Sequence, residues 1–428
     1  MSEIGRRACY YLVGSTGFPN YGDELIAATW LRHLAEVAPE ADVWVDCPEP
    51  GSARLLLDGL HNRVRFVDTL WRLCQAAPVN EPWSVASWVQ RAIHDPGLAA
   101  RWVAGIELLA RADIVHLIGG GYVTALWPNH IGLLAGAAAA VQRSGGRAVM
   151  TGQGLHPAAT GATPLLRSLI ERFDIVDVRD ELSAETAGSQ PDITMTCDDV
   201  FLRLGAGARD LVDPARCVPE YMVCAQSDAG EISAPRLAAL VLDTLRSWRA
   251  RPEQVGIVEG IPGMDREVYA LVEHELPGAR FYPFSALWEK GLPVGPHQRW
   301  ITTRFHFHLL AAAAGASGLA LSVHPQYYTN KHRSLIALGS GWQLLDPFRP
   351  AEPAELPKDG GFHPQVLHRC ATRKANLARA IYPSPPAPTT RSIDAPREPA
   401  LDTSTAPPAV PGAARRPRAS WNRLIRRA

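Results

Sequence analysis

The sequence predicts an α/β protein that contains two doubly wound parallel sheets. Short β-rich runs alternate with helical stretches over residues 8 to about 205, and the same alternation restarts after Pro214. In addition, a chain of 428 residues exceeds the usual size of one hydrophobic core. We therefore expect two Rossmann-like domains that face each other across a cleft, formed by residues 1–210 and 215–382.

In the first predicted domain, the strands are expected at CYYLVG, ADVWV, DIVHLIGGG, RAVMTGQG and DIVDVRD. Residues 114–118 are apolar apart from His116, and three glycines follow them. This pattern is typical of a central strand that is buried on both faces and whose end opens into a binding site.

In the second predicted domain, the strands are expected at YMVCA, QVGIVEG, ARFYPF, WITTR and GLALSV. Residues 383–428 are rich in Pro, Ala, Ser and Thr and contain eight arginines and three acidic residues. Because this tail has few apolar groups to bury, we expect it to be disordered. Its end, WNRLIRRA, either is solvated or forms a short basic turn that makes weak peripheral contact with an anionic membrane surface.

The global charge excludes some classes of partner. The chain has 43 basic and 43 acidic residues, so it has no net field that would attract nucleic acid. The seven cysteines include no C-x-x-C pair, which fits a reducing compartment. No signal-peptide pattern or membrane-spanning apolar run is present in the sequence, and we therefore expect a cytoplasmic protein. Peripheral contact with the inner face of the membrane is one of the two alternatives for the tail.

The first candidate loop, GSTGFPNYGDE at residues 14–24, connects the first predicted strand to the first predicted helix. Its glycines, Gly17 among them, permit close backbone approach, and Asp23 is placed to cap the helix. The loop lacks the endings of a P-loop and of the G-x-G-x-x-G dinucleotide motif. We predict that Gly17 and Asn20 bind substrate and that Asp23 is catalytic, and a purely structural turn is the alternative.

Further candidates follow the other strands of the first domain. Gly120 and Gly121 follow the strand at residues 114–118, and Gln153 and Arg179 follow the next two strands. Because ligands bind outside the carboxyl ends of strands in open α/β sheets, we expect all four residues to contact substrate. A structural ion pair between Arg179 and Asp180 is the alternative.

The segment TTRFHFH at residues 302–308 lies where a strand is expected to end and a helix to begin. Arg304 can bind a phosphate or carboxylate with two parallel hydrogen bonds, and His306 can exchange a proton near neutral pH. His308 shares the site or packs in the core. Lys331 lies at the start of a later predicted helix, where a cation opposes the helix dipole, so we expect an anionic ligand near it.

Together these motifs resemble the polysaccharide pyruvyl transferases. In order, the chain has G-x-x-G-F-x-N-x-G-D-E, GGG after a D-I-V strand, G-Q-G, V-R-D-E-x-S, D-D-x-F, R-F-H and Y-x-x-x-K. The similarity covers residues 9 to about 345. Two features depart from the family pattern: Phe305 stands where an aliphatic residue is usual, and YVTALWPNH follows Gly121 in place of a small-polar and acidic continuation.

The resemblance implies a fold similar to two-domain (GT-B-like) glycosyltransferases and the transfer of pyruvate from phosphoenolpyruvate to a sugar of a cell-surface polysaccharide or exopolysaccharide, or of its lipid-linked precursor. The N-terminal half would hold the acceptor and the C-terminal half the donor. Arg304 and His306 match the family's R-x-H motif, and Lys331 matches its downstream lysine. The ketal chemistry needs a proton donor, a hydroxyl base and cations, for which we assign His306, Asp23 and Arg304.

We expect no obligatory cofactor or metal, because the sequence shows no clustered carboxylate or His/Cys ligands. Two alternatives remain open. One is a nucleotide-sugar glycosyltransferase of the same architecture, because a fold does not determine chemistry. The other is a glycan-binding relative that has lost turnover.

Overall fold

The computed structural model describes residues 6–188, 192–204, 211–212, 218–226, 230–348 and 355–383. Within these ranges the chain forms two sheets, each with parallel strands only. The predicted α/β fold class is therefore confirmed. Residues 384–428 of the predicted tail, with its proposed membrane contact, lie outside the described residues, as does Cys217.

The first sheet has the strand order β3-β2-β1-β4-β5-β6-β7. Its strands are β1 (Cys9–Val13), β2 (Asp42–Asp46), β3 (Val64–Val67), β4 (Ile114–Leu117), β5 (Arg147–Gln153), β6 (Ile175–Val178) and β7 (Ile193–Met195). The helices described in this half are α1 (Tyr21–Val37), α2 (Pro50–Leu57), α3 (Thr69–Ala76), α4 (Pro82–His94), α5 (Val103–Leu109), α6 (Ile131–Ser144), α7 (Thr163–Ile170), α8 (Glu181–Ala187) and α9 (Phe201–Leu204).

The second sheet has the strand order β10-β9-β8-β11-β12-β13. Its strands are β8 (Tyr221–Cys224), β9 (Val255–Val258), β10 (Arg280–Tyr282), β11 (Arg299–Thr302), β12 (Ser317–Leu321) and β13 (Gln343–Leu345). The helices described here are α10 (Ala234–Ser247), α11 (Arg266–Val272), α12 (Phe284–Lys290), α13 (Phe305–Ala313), α14 (Tyr328–Ala337) and α15 (Pro364–Ile381).

The central strands and the edge strand β10 were predicted, whereas the edge strands β3, β7 and β13 were not. Every residue of β4 and β8 is buried, in agreement with their largely apolar sequences. By contrast, the residues of β3, β7 and β13 are half-buried or exposed, and these strands are only three or four residues long. An edge strand has one neighbour and less cover, so its sequence lacks the apolar run that identifies a central strand.

The strand order indicates where each sheet would bind a ligand, and this position is equivalent in the two sheets. Both sheets reverse their direction of strand addition beside the first strand, between β1 and β4 and between β8 and β11. In doubly wound sheets, ligands bind at the carboxyl ends of the strands at such a reversal. The loops that follow these four strands are therefore where the site is expected.

The two sheets are joined by direct packing. The ring of Tyr21, at the start of α1, stacks on Phe307 of α13 with centroids 5.4 Å apart and meets Trp288 edge-on at 6.0 Å. The amide of Tyr21 also donates a hydrogen bond to the Gly260 carbonyl at 2.9 Å. Residues Met1–Pro385 group into one compact unit, so the division into two separate domains stays a prediction.

The last described helix, α15, returns to the first sheet. Lys374 is fully buried and donates hydrogen bonds to Asp177 at 2.7 Å and to Asp199 at 2.9 Å. At the end of the helix, the Tyr382 hydroxyl lies 2.9 Å from Nδ1 of His116 in β4. Helix α15, which follows the second sheet in the sequence, thus completes the core of the first sheet.

Candidate active site

A cavity of about 450 Å³ lies between the two sheets, at the carboxyl ends of their strands. Its wall is formed by the loops after β1 and β4, the end of β6, the start of α13 and the start of α14. Seven of the predicted site residues line it: Asn20, Asp23, Gly121, Arg179, Arg304, His306 and Lys331.

The N-termini of α1 and α13 meet at the base of this cavity. Asn20 caps α1: its side-chain oxygen accepts a hydrogen bond from the Gly22 amide at 3.3 Å, and its Nδ2 donates to Asp23 at 2.9 Å. The imidazole of His306 packs against Gly22, where a side chain would clash with the ring. Burial raises the pKa of the Asp23 carboxyl, although the nearby charges of His306 and Lys331 oppose this shift.

His306 and Arg179 share one buried carboxylate. Nε2 of His306 lies 3.4 Å from Oδ2 of Asp198, and Nη1 of Arg179 lies 3.5 Å from the same oxygen. Burial alone would raise the pKa of Asp198, but the charges of His306 and Arg179 outweigh it and hold this pKa below its usual range. Asp198 therefore remains ionised and orients the side chains of both His306 and Arg179.

Only some of the hydrogen-bond donors of the Arg179 guanidinium have partners among the described residues. Its side chain is 3% exposed, and its plane lies over the ring of Phe305 with Cζ 4.6 Å from the ring centroid. Nε is 3.7 Å from the Asp180 carboxylate, and neither Nε nor Nη2 makes a hydrogen bond to a described residue. The contact with Asp180 thus exists, but among the described residues it leaves two buried donors of Arg179 without hydrogen bonds.

The ammonium of Lys331 lies beside the guanidinium of Arg179 at the cavity wall. Nζ is 3.4 Å from the ring centroid of Tyr327 and 5.2 Å from that of Tyr328. No described residue gives it a hydrogen bond or an ion pair. Burial, together with the charge of Arg179, holds the pKa of Lys331 well below its usual value, and a bound anion would reverse that shift.

Arg304 is held by Asp265. Its Nε lies 3.1 and 3.0 Å from the two oxygens of this carboxylate, and Nη2 donates to Oδ1 as well. Asp265 also accepts hydrogen bonds from the amides of Gly260 and Ile261, at 2.6 and 3.0 Å. Arg304 therefore fixes the loop after β9 in addition to lining the cavity.

Four predicted site residues do not line the cavity. His308 lies in the core, where Nδ1 is 3.1 Å from Nδ1 of His332 and Nε2 is 2.9 Å from the Ser340 hydroxyl. The side-chain nitrogen of Gln153 donates to the Ile118 carbonyl at 2.6 Å. Gly17 and Gly120 shape the adjoining loops at positive φ angles of 94° and 153°.

Several residues at the site had no role assigned from the sequence. Asp198 belongs to the D-D-x-F motif and Tyr327 to the Y-x-x-x-K motif, so the motifs did mark them. Trp127 and His130, which also line the cavity, lie in the segment that departs from the family pattern. Within the described ranges, His, Cys, Asp and Glu residues do not group in a way that could hold a metal ion.

A comparison with protein-family models matches residues 20–325 to the family described as polysaccharide pyruvyl transferase. The chain belongs to the polysaccharide pyruvyl transferase family. It is therefore a transferase, and the predicted family is confirmed. The matched range contains Asp23, Arg179 and His306, whereas Lys331 and Lys374 lie beyond it. A comparison with curated proteins gave no significant match.

Solved structures resemble this pyruvyl transferase family member in fold. The UDP-GlcNAc 2-epimerase of Neisseria meningitidis, solved with UDP-GlcNAc bound, gives a TM-score of 0.50 at 9% identity over 87% of this chain and 99% of that chain. A putative UDP-N-acetylglucosamine 2-epimerase from Listeria monocytogenes gives 0.47 at 14% identity, over 88% and 90%. MurG of Acinetobacter baumannii gives 0.46 at 12% identity, over 88% and 99%.

At 9% identity, the likeness to the Neisseria meningitidis epimerase shows the fold alone. Together with the strand order of the two sheets, it confirms the GT-B-like α/β fold that the resemblance implied. In the part of the chain that the structure describes, each helix is too short or too polar to cross a membrane.

Proposed function

We propose that the protein transfers pyruvate from phosphoenolpyruvate to two hydroxyl groups of one sugar, as a ketal. The observation that carries this proposal is Arg179, whose buried Nε and Nη2 have no hydrogen bond within the described part of the chain, at a cavity that the Lys331 ammonium also lines. Buried donors without hydrogen bonds are unfavourable, and two neighbouring cations favour an anion, so the natural complement is a ligand with more than one negative charge. Phosphoenolpyruvate has a phosphate and a carboxylate.

In this mechanism the two cations bind the donor and His306 supplies a proton. Protonation of donor C3 makes C2 electrophilic, and the first sugar oxygen bonds to C2. The second sugar oxygen then displaces phosphate from C2, so two C–O bonds form and one breaks. One of the two hydroxyl protons balances the proton gained at C3, and the other leaves with phosphate. His306 suits the role of acid because Oδ2 of Asp198, 3.4 Å from its Nε2, orients the imidazole at the cavity.

Asp23 is the proposed base for the acceptor hydroxyl. Its raised pKa makes its carboxylate a stronger base than that of an exposed aspartate. Asp23 also directly follows Gly22, against which the His306 ring packs. Arg304 supports the donor site by fixing the adjoining loop through Asp265. Because Arg179 comes from the N-terminal half, the proposed donor site draws residues from both halves.

The proposed acceptor is a sugar of a cell-surface polysaccharide or exopolysaccharide, or of its lipid-linked precursor. The reaction as written has no redox step and needs no cofactor. We expect the protein to act in the cytoplasm, where phosphoenolpyruvate is available. The peripheral membrane contact stays a prediction about the tail.

The test is calorimetric titration of the purified protein with phosphoenolpyruvate and, separately, with UDP. We expect phosphoenolpyruvate to bind and UDP not to compete with it. Arg179→Met should weaken donor binding by roughly tenfold to a hundredfold, the usual effect of losing hydrogen bonds to a charged group. Arg246→Met, which alters an exposed arginine in α10, should leave donor binding unchanged.

Turnover is tested by phosphate release with a panel of methyl glycosides, with mass spectrometry of the product. The expected product is heavier than the glycoside by one pyruvate less one water. UDP binding in preference to phosphoenolpyruvate would contradict the proposal and favour a nucleotide-sugar enzyme. Phosphate release that does not depend on a glycoside, with no ketal product, would exclude transfer.

A further inference from the structure

The segment after Gly121, which departs from the family pattern, forms a firmly held part of the cavity wall. Tyr122, at its start, is buried, and its hydroxyl donates a hydrogen bond to the Ile118 carbonyl at 2.7 Å. Further along, the amide of Ala125 donates to the Pro157 carbonyl at 2.8 Å. The side chains that this segment presents to the cavity therefore stand on a fixed backbone.

Two of these side chains make an aromatic surface. The rings of Trp127 and His130 are nearly parallel, at 10°, with centroids 6.0 Å apart. His130 is supported from beneath by Trp71, whose ring meets it edge-on at 4.7 Å. Trp127 lines the cavity and remains 38% exposed. A large aromatic face that is rigidly held yet open to a cavity is a typical element of a binding pocket.

The tautomer of His130 follows from its hydrogen bond. Nδ1 lies 2.8 Å from the Tyr122 carbonyl, which can only accept, so Nδ1 carries the proton. Burial lowers the pKa of His130 to about 4, and the ring is neutral at pH 7. Nε2 is therefore a hydrogen-bond acceptor, and it has no hydrogen bond to a described residue.

The aromatic surface adjoins the cations. The ring of Tyr327 meets Trp127 edge-on at 6.1 Å, and the Lys331 ammonium lies over that same tyrosine ring at 3.4 Å. Glu49 and Gln75 line the same cavity and add carboxylate and amide groups. A flat aromatic face, a neutral acceptor and such polar groups match a pyranose ring, which has apolar C–H faces and a rim of hydroxyls.

We propose that Trp127 and His130 form the platform for the acceptor sugar, with the indole stacked on a C–H face of the pyranose and His130 Nε2 accepting a hydrogen bond from a hydroxyl. This inference rests on the proposed function, and it assigns the acceptor to the aromatic side of the cavity. A sugar on the platform lies beside the donor anions at Lys331, as transfer between the two requires.

The experiment is saturation-transfer NMR on the full chain, with methyl β-D-galactopyranoside, methyl α-D-glucopyranoside and uridine as probes. We expect signal from at least one glycoside with the native protein, and a reduction of roughly tenfold or more with Trp127→Ala, as is typical for loss of an aromatic anchor. Trp83→Ala is the matched control, because Trp83 is 50% exposed and does not line the cavity. It should retain the native signal.

A pair of substitutions tests His130. In His130→Asn the amide nitrogen can replace Nδ1 and keep the bond to the Tyr122 carbonyl, but nothing replaces Nε2. In His130→Gln the longer side chain can replace Nε2. We expect the glycoside signal to fall in His130→Asn, with an unchanged melting temperature, and to recover in part in His130→Gln.

Parallel calorimetry with phosphoenolpyruvate separates this inference from the proposed function. Native donor binding in Trp127→Ala, together with lost glycoside signal, supports the platform. A glycoside signal that survives Trp127→Ala, or no glycoside signal with the native protein, would overturn the platform and leave the donor proposal intact. Uridine signal that depends on Trp127 would assign the surface to a nucleobase. Absence of donor binding in the native protein would refute the proposed function, and the glycoside data would still decide the platform.

Discussion

The imidazole of His306 lies directly against the backbone of Gly22, so that a Cβ on residue 22 would fall 1.8 Å from Nδ1. No side chain fits there unless His306 moves. The ring belongs to the C-terminal half and the glycine to the N-terminal half, so this contact fixes the proposed acid relative to Asp23, the next residue. The position of the proposed acid relative to Asp23 therefore depends on the lack of a side chain at residue 22.

We predict that Gly22→Ala lowers turnover by roughly a hundredfold, the usual contribution of one positioned acid or base. Donor affinity should change much less, because Arg179 and Lys331 are not displaced. Gly51→Ala is the control: it lies in the first turn of α2, where a Cβ would meet nothing within 4 Å. Normal turnover in Gly22→Ala would mean that His306 does not act from this position.

Gly121→Ala should weaken donor binding. A Cβ at Gly121 would lie 2.9 Å from Lys331 Nζ and 3.1 Å from Arg179 Nη2, both in the proposed anion site. We expect the dissociation constant for phosphoenolpyruvate to rise roughly tenfold, equivalent to about 1.4 kcal/mol, in calorimetric titration. Gly295→Ala, where a Cβ would make only an ordinary 3.8 Å contact, should have no effect. A defect confined to the acceptor would instead support the sequence-based assignment of this loop to acceptor binding.

Lys374→Met should destabilise the protein strongly. The substitution leaves the buried carboxylates of Asp177 and Asp199 without their cation, and removing one partner of a buried ion pair usually costs about 3–5 kcal/mol. We expect a lower midpoint in urea denaturation, whereas Arg369→Met on the exposed face of the same helix should be neutral. Equal midpoints in the two variants would show that the ion pairs of Lys374 contribute no net stability.

Stability should fall as the pH rises from about 5 to 8. Burial raises the pKa of Glu24 from 4.5 to about 7, so the folded state binds a proton that the unfolded state has already released. Between these values the unfolding free energy decreases with pH, by up to about 3 kcal/mol for this one group.

Thermal melting across this pH range should show the decrease, and Glu24→Gln should reduce it. Part of the slope should remain, because burial also raises the pKa of Asp46 to about 7. An unchanged slope in Glu24→Gln would mean that Glu24 is already ionised in the folded protein below pH 5.

Strand-end reasoning found much of the site because the carboxyl ends of parallel strands meet at one edge. It correctly brought Gly121, Arg179 and His306 to one cavity. It could not separate His306 from His308, since the sequence did not fix the residue at which the strand ends and the helix begins. Helix α13 in fact begins at Phe305, and two helical residues differ in direction by about 200°, so one histidine faces the cavity and the other the core.

Contacts between residues that are far apart in the sequence could not be predicted from local sequence patterns. Asp265 holds Arg304 from 39 positions away, and no local signal links the two. Likewise, a tryptophan and a histidine in an irregular segment give no periodicity, so Trp127 and His130 are visible as site residues only once the fold brings them to the cavity.

The packing of α15 on the first sheet affects when that sheet can be completed during synthesis on the ribosome. Asp199 is synthesised 175 residues before Lys374, and Asp177 is synthesised 197 residues before it. At about 5–20 residues per second, the nascent first half waits roughly 10–40 s for its buried cation. We therefore expect the two carboxylates to stay hydrated during that time, and the first sheet to close over them only when the last helix emerges.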